Sequence, residues 1–496
     1  MTVQIFKKFR WLPYGNAHKF AVASLALIWL YHFSWIGTGA LEHYDEYLTY
    51  DRTLGFERFS DWLTVYRSNV PDFNKPPLQY WLSAALIYIG IPDLIALRIP
   101  SMVFGGLFIF STGYLAYKLT KGSILAGWIS AILLCSSTQF WHFSTSAMLD
   151  IGAGAFITLT LALIFKSIED KRVWLAVAFV TTLGAWQKAP FSLAIFVISV
   201  ICGLLSFGLL NEAERKSLRS RELLAALLLA SIGSTAWFAI QYLHYGAEAL
   251  RTYYIEQSAA RILPGENQIF KRNLDDTISY IYSGGEIWPR GLGFFAAFAI
   301  PFATKRPLAA IIPIILLLYL FFISIGSGYI SHRYSLLIVG LLMASTSVML
   351  CTVLRKKLNL GISVAILSLS SAGPIKTDSQ LTLYPDPLLV TAAEGLEHIG
   401  NSLNSREVFL LCNWNVKKKV PTGMASILAS NGRPFLALTQ VSDVQAKLRQ
   451  INNRQRLRGF CTSEQLQDIV ALIVTPEIDG VFGPYVSWTA EVGTNE

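Results

Sequence analysis

Apolar residues run along this chain in long blocks separated by short polar connections, a continuity that neither an amphipathic helix nor an alternating strand would show. The blocks lie near residues 20–38, 98–117, 122–141, 149–166, 172–186, 190–210, 222–243, 290–304, 307–326, 333–353 and 360–373. Each approaches the ~20 residues that carry a helix across ~30 Å of hydrocarbon. The run 78–91 is shorter, rich in Tyr and Trp, and ends at Gly90 and Pro92, which suits an interfacial or partly inserted helix as well as a span. After Pro374 the pattern changes to strand-like runs, VFLLC at 408–412, FLALT at 435–439 and VALIVT at 470–475, with a helical pattern at 442–451. The pattern therefore predicts a polytopic α-helical membrane domain over 1–373 and a small α/β domain over 374–496.

Charge fixes the expected orientation. If 78–91 does not cross, the connections alternate between two sides, one with 18 Lys and Arg in 47 residues and the other with 10 in 102. Basic residues favour the cytoplasmic side, so the amino terminus is expected in the cytoplasm, with eleven spans, or thirteen if a second short segment crosses too. The run from Phe20 to Ile36 follows four basic residues and has no clear cleavage site after it, so it reads as a retained first helix. The long loops 39–77 and 244–289 and the carboxyl-terminal domain then face outward from a cell inner, or plasma, membrane.

Composition agrees and narrows the class. With 53% hydrophobic and 15% charged residues and a mean hydropathy of +0.45, the chain is outside the range of soluble domains. The net charge of +9 is largely accounted for by the cytoplasmic connections. Five cysteines show no metal-ligand spacing. Cys412 and Cys461 are the carboxyl-terminal domain's own pair and could bridge in an oxidising compartment. Spacing alone does not show that they meet, so a reduced buried pair is the default reading.

The topology gathers unusual residues on one face. EHYDEYLTYD places Glu42, Asp45, Glu46 and Asp51 in the first outer loop. DFNKPPLQYWL places Lys75 just before a helix start fixed by two prolines. Asp150 in STSAMLD and Lys188 in WQKAP lie at outer helix ends, Arg251, Arg261, Lys271 and Arg272 in the loop 244–289, and Arg333 in SHRY. Ionised groups are costly inside hydrocarbon, so boundary charges in such numbers point to a polar cavity. A carboxylate can act as base toward a hydroxyl, and cations can neutralise a leaving phosphate, which suits group transfer from an anionic lipid. There is no G-x-x-x-x-G-K-[ST] loop, G-x-S-x-G elbow, H-E-x-x-H pair or G-x-G-x-x-G fingerprint to suggest another chemistry.

The order DE, KPPLQYW, LD, KAP and a late outer-loop Arg, over roughly residues 40–340, resembles the polyprenyl-phosphate-dependent membrane glycosyltransferases of the GT-C fold. That family includes aminoarabinose transferases acting on lipid A and dolichyl-phosphate-mannose protein mannosyltransferases. The resemblance implies that Asp45 is the catalytic base, with Glu46 beside it, and that Asp150 is a second essential aspartate. It also implies that Lys75, Lys188 and Arg261 contact the donor phosphate, and that Arg333 and Tyr334 form a basic-aromatic pair entering a late helix. The implied activity is inverting transfer of a sugar from a polyprenyl-phosphate carrier to a cell-envelope acceptor, whether lipopolysaccharide, glycan or protein. The alternative of another class is a non-catalytic lipid flippase or transporter, for which internal repeats or interrupted helices would speak.

Departures from the family pattern matter. Asn74 stands where the aminoarabinose transferases carry Glu, Leu48 and Thr49 where they carry Arg and Tyr, and Gln257 where a His is expected. Two metal ligands are thereby lost, so a tightly bound divalent metal, though chemically possible, is not predicted, and aminoarabinose is a poor match for the sugar.

Overall fold

The computed structural model describes residues 14–37, 41, 44–67, 70–253, 287–325, 332–352, 387–404, 407–414, 420, 424–430, 435–440, 456–470 and 473–492. These fall into two compact units. The first comprises Met1–Ile36, Phe73–Ser83 and Arg98–Leu381, and the second Gly37–Asp72, Ala84–Leu97 and Thr382–Glu496. The domain boundary expected at 373/374 and the helical pattern at 442–451 lie outside the described residues, as do Glu42, Gln257, Arg261, Lys271 and Arg272.

The helices up to residue 352 are α1 (Tyr14–Phe33), α2 (Tyr44–Phe59), α3 (Leu78–Tyr88), α4 (Asp93–Leu119), α5 (Ile124–Cys135), α6 (Thr138–Ser144), α7 (Leu149–Ser167), α8 (Val173–Lys188), α9 (Phe191–Leu205), α10 (Glu212–Leu218), α11 (Arg221–Tyr245), α12 (Ala247–Arg251), α13 (Ile287–Thr304), α14 (Ile311–Ile325) and α15 (Leu336–Thr352). Among the described residues, Asp93–Leu119, Leu149–Ser167, Arg221–Tyr245 and Arg333–Thr352 are long and apolar enough to cross a membrane, and Ile124–Cys135, Phe191–Leu205 and Pro307–Phe322 are shorter apolar helices. The block at 122–141 is divided, because Ser136 and Ser137 end α5 and cap α6. At 11 residues, or about 16 Å, α3 is shorter than the ~20 residues that a span needs.

In the first unit α7 and α15 are buried almost all round. A helix apolar on every face belongs at the centre of a bundle. The pair packs together, with α8 and α9 against α7 and with α5 and α13 against α15. Buried hydroxyls link the helices: Ser347 donates to the Ala126 carbonyl at 2.6 Å and Thr346 to the Pro289 carbonyl at 2.6 Å. With no water in hydrocarbon to compete, such polar groups must be satisfied by neighbouring helices.

In the second unit the carboxyl-terminal residues form helices α16 (Pro387–Ser402) and α17 (Ser463–Ile469) and strands β3 (Glu407–Cys412), β4 (Leu436–Leu438), β5 (Arg456–Thr462), β6 (Ile473–Phe482) and β7 (Tyr485–Val492), numbered after the short hairpin β1 (Tyr66–Arg67) and β2 (Val70–Pro71). The sheet order is β4-β3-β5-β7-β6, parallel among β4, β3 and β5 and antiparallel beyond. One face is covered by α16, whose Ala392, Leu396 and Ile399 recur at helical spacing and are buried. The other holds a core around Leu410, Leu457 and Trp488. Gly459 faces Trp488 across the β5–β7 ladder, and a Cβ there would overlap the indole. Strands β5 and β7 were not expected from sequence, and the run 470–475 begins in the last turn before β6. Cys412 and Cys461, at adjoining positions of parallel neighbours, form a disulfide, which corrects the default reading of a reduced pair.

The segment before α3 is also more ordered than its sequence suggests. EHYDEYLTYD enters α2, which Arg52 ties to Asp72 by Nη2 at 2.6 Å and Nε at 2.8 Å, with both residues buried. Asp61 closes the loop that follows. Partial burial raises its carboxyl, but the Leu63 and Thr64 N–H groups and the Tyr66 hydroxyl donating to it outweigh that and hold it below the usual range.

Candidate functional site

The amino terminus of α7 and the carboxyl terminus of α8 meet at one end of the first unit's bundle. Asp150 lies in the first turn of α7, where a helix dipole favours a carboxylate, and Lys188 is the last residue of α8, where it favours a cation. Lys188 Nζ donates to Asp150 Oδ1 at 2.5 Å. Arg333, in the 3₁₀ turn His332–Ser335 before α15, brings Nε to 3.6 Å from Asp150 Oδ2 and Nη1 to 4.0 Å from Met148 Sδ. The Tyr334 ring lies 4.6 Å from Lys188 Nζ and 5.6 Å from the Arg333 guanidinium. Two cations thus surround one carboxylate in a largely water-excluded corner, and the triad carries net positive charge. Charges so placed attract a further anion far more strongly than they would in water.

Neutral polar side chains fix the geometry. Gln187, next to Lys188, donates from Nε2 to Gln79 Oε1 at 2.7 Å and to the Leu149 carbonyl at 3.1 Å. Gln79 donates to Ser101 Oγ at 2.9 Å; that hydroxyl donates to the Met148 carbonyl at 3.1 Å and accepts from the Met148 N–H at 3.0 Å. Gly152 permits the close approach of α7 and α8, since a Cβ there would lie 2.6 Å from Gln187 Nε2. Trp81 and Trp186 add an edge-to-face contact at 5.8 Å. The segments KPPLQYW, STSAMLD and WQKAP, separate in sequence, are therefore bound together at this corner.

Lys75 is half-buried, four residues before Gln79, so the chain keeps its Cα within about 14 Å of the Gln79 Cα. Helix α3 starts one residue after Pro77, whose carbonyl accepts the Trp81 N–H at 2.9 Å. Asp45 and Glu46 occupy the first turn of α2 in the second unit, Asp45 half-buried and Glu46 fully buried. Asp51 on the same helix accepts from Arg58 at 3.4 Å. Arg251 is exposed and lies 4.0 Å from Glu248. Among the described residues no three His, Cys, Asp or Glu side chains group as metal ligands.

One group escaped the sequence reading. Arg290, fully buried near the start of α13, donates to Gln139 Oε1 at 2.9 Å and to Ser335 Oγ at 3.3 Å, while Ser335 itself donates to Gln139 Oε1 at 3.0 Å. Ser335 adjoins Tyr334, so this network holds the turn that carries Arg333. Its signal was present in IWPRGLG, an arginine at the edge of an apolar run. Gln79 in KPPLQYW and Gln187 in WQKAP likewise stand out as polar residues in apolar helices.

Comparisons with known proteins bear on the fold. No family model matches the sequence. An uncharacterized protein of Aquifex aeolicus (strain VF5) is 28% identical over 251 residues, 49% of this chain and 48% of that one, so the match spans about half the length of the relative. ArnT from Cupriavidus metallidurans, in a structure bound to undecaprenyl phosphate, superposes with a TM-score of 0.67 at 14% identity, over 95% of this chain and 97% of that one. The archaeal oligosaccharyltransferase AglB from Archaeoglobus fulgidus, in complex with an inhibitory peptide and a dolichol-phosphate, gives 0.59 at 12% identity, over 95% and 74%. The arabinofuranosyltransferase AftD from Mycobacteria gives 0.55 at 12%, over 96% and 40%. At these identities it is the fold that is shared: the chain is an α-helical membrane protein of the GT-C fold with a small carboxyl-terminal sheet domain.

Proposed function

We propose that this protein is an inverting glycosyltransferase that moves a sugar from a polyprenyl-phosphate carrier to a cell-envelope acceptor at the outer face of the inner membrane. The observation that carries the reading is the Lys188–Asp150–Arg333 cluster, which among the described residues sets two cations against one carboxylate. A phosphate is the anion whose charge grows as a glycosyl bond to it breaks, and fixed cations stabilise that growth at no reorganisation cost. Lys188 supplies a point charge and Arg333 a planar donor fork. Asp150 holds both in place by charge. Lys75, and Arg261 by the family resemblance, add contacts to the same phosphate.

In the reaction the acceptor oxygen attacks the anomeric carbon from the face opposite the phosphate. The new C–O bond forms as the bond to the phosphate oxygen breaks, the bonding pair leaves with the polyprenyl phosphate, and the configuration inverts. The acceptor proton passes to a carboxylate, for which the resemblance supports Asp45, with Glu46 beside it. Lipopolysaccharide, another glycan or a protein hydroxyl would each supply the acceptor oxygen. The catalytic domain in this reading is 1–373, with the outer loops 39–77 and 244–289, and 374–496 is an extracytoplasmic domain.

The test is transfer by purified protein in detergent, supplied with a radiolabelled polyprenyl-phosphate-sugar fraction and an envelope extract as acceptor. Label is expected to leave the carrier for the acceptor with the wild type, and to stay on the carrier with Asp45→Asn. No transfer in detergent, together with movement of the carrier lipid across liposomes, would instead establish the transporter reading.

A further inference from the structure

A second ionic cluster sits at the opposite end of the same helices, about 24 Å along α7 from Asp150. Here the turns that close α4 and α13 each hold a lysine in the left-handed region, Lys121 at φ 55° and Lys305 at φ 52°. The N–H after each reaches back to close its helix, Gly122 to the Tyr117 carbonyl at 2.8 Å and Arg306 to the Pro301 carbonyl at 3.1 Å. Glycine is the usual residue at such positions, so lysine there places a cation at a conformational cost.

Arg306 is the unusual member. Only 9% of it is exposed, its Nη1 is buried with no hydrogen-bond partner, and among the described residues its side chain makes no hydrogen bond or ion pair. Glu169 and Glu214 lie within electrostatic reach, but both are engaged elsewhere. Glu169 Oε2 accepts from Lys118 at 2.8 Å and Lys166 at 2.9 Å. Glu214 accepts from the Asn211 N–H at 3.1 Å and the Leu308 N–H at 3.4 Å, and burial raises its carboxyl toward the neutral form. Lys121 acts on Glu214 from nearby. The cluster thus retains cationic charge around a buried guanidinium, an arrangement stable only when the charge is compensated.

The surroundings indicate the compensating group. Phe302, four residues before Arg306, and Leu205, at the end of α9, are each 84% exposed. A Cβ at Gly203 would touch Leu218 and Leu308, so the end of α9 packs beside the Arg306 loop. An anion-binding group flanked by exposed apolar side chains at a helix end matches a lipid whose phosphate lies at the interface and whose chains lie along the protein. We propose that Arg306, with Lys121, binds the phosphate of an anionic membrane lipid in the leaflet at this end. This site is separate from the Lys188 corner and does not depend on the proposed transfer reaction.

The test measures thermal unfolding of the full-length protein in neutral detergent with phosphatidylglycerol, phosphatidylcholine or inorganic phosphate added, and lipid retention by native mass spectrometry. Phosphatidylglycerol is expected to raise the melting temperature above that in phosphatidylcholine, with inorganic phosphate giving no comparable shift. Arg306→Gln should lose this preference, with retained phosphatidylglycerol falling about tenfold, and Arg306→Lys should keep part of it. Equal wild-type response to the two lipids would overturn the proposal without any variant. So would an unchanged preference in Arg306→Gln, or a full shift from inorganic phosphate alone.

Discussion

Lys188 and Asp150 form a pair whose value depends on both partners being present. Removing one leaves a buried charge, which typically costs 3–5 kcal/mol, whereas removing both costs much less. Lys188→Met is therefore expected to destabilise the protein by about 3 kcal/mol. The Asp150→Asn/Lys188→Met double variant should lose clearly less than the sum of the single losses. Thermal unfolding of the four proteins in detergent reads this coupling; additive losses would mean that the two side chains do not act as a pair. Each partner was legible as a candidate because a charged residue at an apolar boundary stands out in the sequence. The contact of Arg333 with Asp150 was not legible, because 182 intervening positions separate them. Arg290 escaped for a related reason: its hydrogen bonds run to Gln139 and Ser335, which no local pattern connects.

At the scale of elements, the α7–α8 contact is set by Gly152. A Val there would force Gln187 away from Gln79, at a cost of about 1–3 kcal/mol for overpacking, and the melting temperature should fall accordingly. An unchanged melting temperature would show that the Gln187 side chain is free to move aside. The loop after α2 carries a pH dependence. The Asp61 carboxyl is held below its usual range by the groups donating to it. The stability it contributes is complete above the ordinary carboxylate pKa and is lost as pH falls through the lower folded value. Hydrogen exchange over residues 61–66 should therefore quicken, relative to its intrinsic rate, only in strongly acidic solution, and should already be faster at neutral pH in Asp61→Asn. Membrane helices were readable because hydrocarbon demands long apolar runs whose backbone bonds close within the segment. The polar helix α2 was not, since its order comes from tertiary pairs such as Arg52 with Asp72. Strand β5, RLRGFCT, escaped because its inward Arg458 is neutralised by Asp479 on β6 and bonded to Ser402 on α16, partners that alternation cannot reveal.

For the whole molecule, the asymmetry of basic connections predicts that both the Lys188 corner and the carboxyl-terminal sheet face away from the cytoplasm. Membrane-impermeant biotinylation of an added cysteine at Glu496 in intact spheroplasts should label it without lysis, and labelling only after lysis would reverse the topology. In the proposed reaction the Lys188 corner holds a polyprenyl phosphate. That binding is tested most directly by titrating purified protein in detergent with undecaprenyl monophosphate and with the corresponding polyprenol, reading binding by tryptophan fluorescence. The wild type and Arg306→Gln are expected to bind the phosphate at least about tenfold more tightly than the alcohol, and Lys188→Ala/Arg333→Ala, verified as folded, to lose that difference. Equal affinity of the wild type for phosphate and alcohol, or an undiminished preference in the folded double variant, would contradict it.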